Sequence, residues 1–344
     1  MKKILALALC LCMVLCAVAC TKAPAEKDYK LGLGVVVSTA STSGTNAQVD
    51  ATIAAVVTDA DGKIVLCRID VAQNKMTVEN GTVDTTATYK TKMEKGSEYG
   101  MAGKVDNNGD GVMLEWDAQA KAFESFVVGK TGAEVAALET QEAGGHQIAV
   151  DSALLEAGCS MQITDFMTAV EKACNDEQAM SFKAAEGSFT LGVAANTAAA
   201  DSKNVEGETA GLVAMYSDIA ACVVAEGKII AALNDAIQPK ITVNVDGTLA
   251  PQEFKGTKRE LKSGYGMEGK VDNNGDGVMK EWFEQSKAFS EYAVGKTAAD
   301  IKGMQTTEAN GHFITVDQAL LDAGCSIQIT GICAVVAEAA EYAR

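Results

Sequence analysis

Apolar and polar residues alternate through residues 49–57, with Val49, Ala51, Ile53, Ala55 and Val57 on one face and Asp50 and Thr52 on the other. A period of two belongs to a strand with one buried face. Asp59-Ala60-Asp61-Gly62 interrupts the run, which resumes over residues 63–70, so the stretch predicts an antiparallel hairpin. The same arrangement returns as residues 211–224, the turn Glu226-Gly227-Lys228, and residues 229–235. A short apolar strand is expected at 31–37, and weaker strands around 75–83 and 240–245. The period then changes to that of a helix. Trp116, Ala120, Phe123 and Val127 fall on one helical face, as do Trp282, Phe289 and Ala293, with Gly129 and Gly295 as stops. These stripes read as core. Thr131 with Glu134 forms a capping box for a short second helix, which Thr297 with Asp300 approximates. Apolar strands at 161–163 and 327–329 are expected to lead into closing helices from about Asp165 and Gly331.

The two sets of elements are copies. Residues 99–131 and 265–297 are identical at 24 of 33 positions, at a constant offset of 166. Self-similarity at a fixed period marks a duplicated unit. The expected architecture is α+β: two tandem homologous domains, each an antiparallel sheet packed with two or three helices. Their spans are residues 31–174 and 189–344, joined by a linker at 175–188.

Residues 1–19 carry Lys2 and Lys3, then an apolar run ending Ala17-Val18-Ala19, the layout of a secretory signal peptide. Cys20 follows at once, and the junction resembles the lipobox of bacterial lipoproteins, with Ala17 where leucine is usual. The resemblance implies a lipidated Cys20, a tether over 20–30, and a protein on the outer face of the cytoplasmic membrane. The formal charge of −17 opposes contact with nucleic acid or anionic lipid headgroups and suits cations or cationic partners. Beyond Cys20 six cysteines remain, and only Cys159 and Cys325 correspond between the copies. A disulfide framework would repeat both partners, so most read as buried thiols; Cys159–Cys174 or Cys325–Cys333 bridges stay open.

The shared stretch K-V-D-N-N-G-D-G-V-M-x-E-W is an oxygen-rich loop entering a helix. It resembles the calcium loops of EF-hand and dockerin domains, which implies Asp106, Asn108, Asp110 and the Val112 carbonyl as ligands in the first copy. Asp272, Asn274, Asp276 and the Val278 carbonyl take those places in the second. The acid expected at the twelfth position is Asp117 in the first copy, but Phe283 stands there in the second. Both copies place an acid at the tenth, Glu115 and Glu281. Asn-Gly and Asp-Gly also form hydrated turns with no metal.

A Gly-Lys-Ile strand ending in Ile-Asp, then helices, then a strand entering a terminal helix resembles the FMN-binding domains of bacterial surface redox lipoproteins. Those domains carry an S-G-A-T-x-T-S stretch whose first threonine bonds the flavin phosphate. That position falls on Gln162 and Gln328 here. An amide forms no phosphoester, so the resemblance implies at most non-covalent FMN. His146 and His312 read as equivalent Gly-His turn residues, and no G-x-S-x-G or P-loop occurs. Asp70 and Asp235 read as solvated strand ends. The function expected is non-catalytic binding of an unidentified surface ligand or protein, with calcium steadying the loops. The alternative is electron transfer through FMN.

Overall fold

The computed structural model describes residues 25–344 except 105, 106, 108, 110, 112, 271, 276 and 278. The signal segment and Cys20 lie outside the described residues. The fold is α+β with antiparallel sheets, and its two halves repeat one order of elements. The first half is a meander of β1 (Glu26–Ser38), β2 (Asn46–Asp59) and β3 (Ile64–Thr77). It continues with α1 (Lys92–Lys95), α2 (Trp116–Phe126), α3 (Gly132–Ala136), the hairpin β4 (Thr140–Ala143) and β5 (His146–Ala149), α4 (Ser152–Glu156) and α5 (Thr164–Cys174). Strand β6 (Met180–Ala185) connects the halves. The second half repeats the meander as β7 (Thr190–Ala198), β9 (Tyr216–Ala225) and β10 (Lys228–Ile237), adding short strands β8 (Gly211–Val213), β11 (Ile241–Val243) and β12 (Leu249–Pro251). Then come α6 (Lys258–Leu261), α7 (Trp282–Ala293), α8 (Ala298–Lys302), β13 (Thr306–Ala309), β14 (His312–Thr315), α9 (Gln318–Asp322) and α10 (Thr330–Glu341).

Period-two alternation in β2 sorts its side chains onto two different cores. Ile53, Ala55 and Val57 face inward, where they meet Val193, Ile219, Val223 and Leu233 of the second half in one apolar cluster. Ala54 and Val56 face the other way, toward Trp116, Phe123 and Phe166. The second sheet does the same, turning Ala220 and Cys222 toward Trp282 and Phe289. The result is four layers: helices, sheet β3-β2-β1-β6, sheet β10-β9-β7, helices. The inner faces of both copies are thus one shared core.

Closing helices α5 and α10 press on strands at Gly32 and Gly192. A Cβ at either would lie 1.9 Å from a helix carbonyl, Ala173 O or Ala339 O. Only glycine permits that approach.

Four expectations change. Residues 26–30, expected as part of the tether, begin β1 and pair with β6, Glu26 opposite Ala185. Residues 161–163 and 327–329 are not strands; each segment places a single backbone bond on a hairpin, Ile163 N to Gln147 O and Ile329 N to Phe313 O. One bond before a helix starts leaves no room for a ladder. The span 175–188 contains β6, whose antiparallel pairing with β1 (Leu31 opposite Met180) makes it part of the first sheet. Residues 75–77 continue β3 rather than begin a new strand.

Candidate functional site

The acidic loop is held by copied polar contacts. Glu115 Oε2 accepts the Met101 N–H at 2.8 Å, and Glu281 accepts those of Met267 and Glu268 at 2.9 and 3.1 Å. Gln119 and Gln285, fully buried, each link the loop exit to the segment before the closing helix. Gln119 Nε2 donates to Leu114 O at 2.8 Å and its Oε1 accepts the Ser160 N–H at 3.0 Å. The matching Gln285 bonds, to Lys280 O and from Ser326 N, are 2.7 and 2.8 Å. Asn107 and Asn273 fasten the loop to Ser160 O and Ser326 O.

Of the expected calcium ligands, Asp106, Asn108, Asp110, Val112, Asp276 and Val278 lie outside the described residues. Asp272 accepts the backbone N–H groups of Asn274 and Gly277, an Asx-type turn that leaves it on the loop. Asp117 pairs with Lys121 at 2.8 Å along α2. Glu115 and Glu281 serve backbone donors, so their carboxylates brace the loop from the helix start. Among the described residues no three His, Cys, Asp or Glu side chains gather as a metal cluster.

A cleft of about 390 Å³ opens beside this loop in the first half, between β2, α1 and the start of α5. Its wall carries Lys92, Tyr99, Trp116, Asp50, Gln162 and Asp165. Thr91 starts α1 with a capping box closed by Glu94, which fixes where Lys92 leaves the backbone. The Lys92 ammonium lies 4.9 Å from the Tyr99 ring centre and 5.5 Å from that of Trp116, within cation–π range. Burial pushes its pKa below the ordinary lysine value, while Asp50, Asp70 and Asp165 pull it back up. Asp165, at the rim, is held above the usual carboxylate range by lost hydration and by Asp50. Asp50 accepts the Gln48 amide at 2.8 and 3.0 Å. None of these carboxylates comes within ion-pair distance of Lys92.

The second half repeats the lysine under two rings, with Lys258 at 5.0 Å from Tyr265 and 5.2 Å from Trp282. Its acids are arranged differently. Ile53 pairs with Val35 and Asp70 as Ile219 pairs with Ala195 and Asp235, so Asp50 and Thr52 correspond to Tyr216 and Asp218. Asp218 reaches the start of α10, and a Cβ on Gly331 would lie 1.9 Å from its Oδ2. Each half thus faces its lysine with a carboxylate, from the helix start as Asp165 or from the strand as Asp218. Only the first half adds Asp50; the second puts the half-buried Tyr216 there.

Asp70 and Asp235 are not solvated strand ends. They are 2% and 4% exposed, and each Oδ1 accepts two backbone N–H groups, one from the strand and one from α1 or α6. Burial pushes both up to about 6. Next to Asp235, the Arg259 guanidinium makes a buried pair with Asp176 at 3.0 Å, and Asp176 also accepts the Leu33 N–H. That chain of contacts ties the halves together. His146 and His312 sit exposed at the first residues of β5 and β14, after tight turns. All six described cysteines are free thiols, and burial raises those of Cys67, Cys159, Cys222 and Cys325.

Sequence reasoning passed over Lys92, Lys258, Gln119 and Gln285. The duplication carried the signal, since Lys92 and Lys258, like Gln119 and Gln285, stand at the common offset of 166. No protein-family model, curated protein or solved structure matches the chain. No helix among the described residues is long and apolar enough to cross a membrane.

Proposed function

We propose that this chain is a non-catalytic binding protein outside the cytoplasmic membrane, anchored by a lipidated Cys20, with the cleft of the first half as its ligand site. One observation carries the reading: Lys92 faces a cleft of about 390 Å³ among carboxylates that it does not pair with. Ligand pockets of roughly 300–1,000 Å³ combine apolar walls with a few placed polar groups, and this cleft fits that description. The second half keeps the lysine and rings but replaces Asp50 with Tyr216, a divergence suited to one copy binding and the other bracing. The test is saturation-transfer NMR of the full chain against a mixed small-metabolite library. Signals present in the wild type and absent in Asp50→Tyr, which copies the second half, support the site. Signals unchanged by Asp50→Tyr place binding elsewhere.

Calcium in the D-x-N-x-D-G loops is part of the same proposal, with the first loop the stronger because Asp117 follows it. For a dissociation constant near 0.1 mM and about 1 mM calcium, binding adds roughly 1.4 kcal/mol to stability. Melting in calcium against EDTA reads this directly, and an unshifted melt removes calcium from the account. The second reading, non-covalent FMN with electron transfer, rests on the flavin-domain resemblance, whose phosphate-linked position falls on Gln162 in the lining of the cleft. A flavin absorption band in the purified protein distinguishes it from the first.

A further inference from the structure

We infer that the first-half cleft takes a zwitterion, an amine-bearing carboxylic acid about the size of one amino acid; this rests on the cleft being the ligand site. The charges around the cleft set the class. Lys92 supplies one positive charge, and Asp50 and Asp165 supply two negative ones from the strand and from the helix start. A simple anion would meet two carboxylates, and a simple cation would meet the ammonium at close quarters. A ligand carrying both charges satisfies both walls at once. Its carboxylate lies on Lys92 and its ammonium on Asp50 and Asp165.

The separation of the wall charges supports this. Arg259 and Asp176 show that the chain closes an ion pair where it buries one, at 3.0 Å. Asp50, Asp70 and Asp165 attract Lys92 and Lys75 repels it, and among the described residues it closes no ion pair within 4.0 Å. Tyr99 and Trp116 lie within cation–π range of the ammonium, and no hydrogen bond among the described residues takes its donors. Phe166 and Met161 supply an apolar floor for a side chain. At about 390 Å³ the space suits one amino acid better than a dinucleotide.

The comparison between copies points the same way. Tyr216 and Gly331 stand where Asp50 and Asp165 stand, so the second half lacks both acids that would receive the ammonium. Its one carboxylate, Asp218, lies on the strand against Gly331.

The experiment is calorimetric titration of the full chain with each standard amino acid. The tightest is then compared with its decarboxylated amine and its deaminated acid. At least one amino acid is expected to bind, and each truncated analogue to lose roughly 10- to 100-fold, the worth of a charge-assisted hydrogen bond. Lys92→Met weakens the amino acid and the acid but not the amine. Asp50→Asn with Asp165→Asn weakens the amino acid and the amine but not the acid. This crossed pattern is not produced by loss of folding, which weakens all three. An analogue that binds as tightly as its parent overturns the zwitterion while leaving the cleft as a site. No binding by any amino acid also overturns it, and the library screen with Asp50→Tyr then judges the cleft on its own.

Discussion

Asp70 and Asp235 sit where their charge is costly. Each Oδ1 accepts two backbone N–H groups, which favours the anion, yet lost hydration outweighs them and lifts both to about 6. An acid whose folded value lies above its unfolded one holds its proton more tightly in the native state. Its contribution is therefore fully present below about pH 4, near the ordinary aspartate value of 3.8, and is lost as the pH rises through about 6. At 1.36 kcal/mol per pH unit, about two units of displacement costs roughly 3 kcal/mol per site at neutral pH. Asparagine keeps an oxygen for the two N–H groups and removes the charge. In urea unfolding, Asp70→Asn or Asp235→Asn is expected to gain on the wild type between pH 4 and 7, by up to about 3 kcal/mol. A difference independent of pH would show that the carboxylates ionise without cost.

Buried amides decide how the loop and its helix stay together. Gln119 on α2 satisfies the Leu114 carbonyl and the Ser160 N–H from one side chain with no exposed surface. Gln119→Leu leaves both groups without that partner, at roughly 1–3 kcal/mol each, so the variant is expected to lose about 2–6 kcal/mol. Lys121→Ala, two residues further along the helix, removes only an exposed pair with Asp117 and is expected to cost under about 0.5 kcal/mol. Equal losses for the two, measured by denaturant unfolding, would refute a special role for the amide.

The contrast between these neighbours also explains how much the sequence revealed. Alternation in β2 and the helical stripe through Trp116 were legible, because burial of one face is written into local spacing. The capping box at Thr297 reads only approximately by pattern, since Asp300 stands where glutamate is usual, yet both of its bonds form. Gln119 reads as a surface amide on an amphipathic helix until the segment 159–163 is folded over it. Lys92 likewise comes to line the cleft only when β2 and α5, far off in the chain, arrive on either side. Non-local packing assembled the cleft, and no local period encodes it. The inner face of each sheet was legible as apolar, but not that the two faces cover one another.

That mutual covering determines how the protein unfolds. Two tandem domains joined by a linker would each bury their own core and melt as independent units. Here Ile53, Ala55 and Val57 pack on Val193, Ile219 and Leu233, so either half alone exposes an apolar sheet face. Polar contacts cross the boundary as well. Arg344 bonds both oxygens of the buried Glu124 at 3.0 and 2.8 Å, and Arg259 pairs with Asp176. The chain's only two tryptophans lie one in each half, Trp116 and Trp282, each in the outer core of its own half. Single-tryptophan variants, Trp116→Phe and Trp282→Phe, therefore report the two halves separately. A shared inner core requires both emissions to change together along the urea axis. Asp176→Ala strands the Arg259 guanidinium beside Asp235, at a cost of roughly 3–5 kcal/mol. When this change is placed in each single-tryptophan background, both midpoints are expected to fall together. Midpoints that separate, or a loss confined to the Trp282 signal, would mean that the halves are energetically independent despite the packed faces.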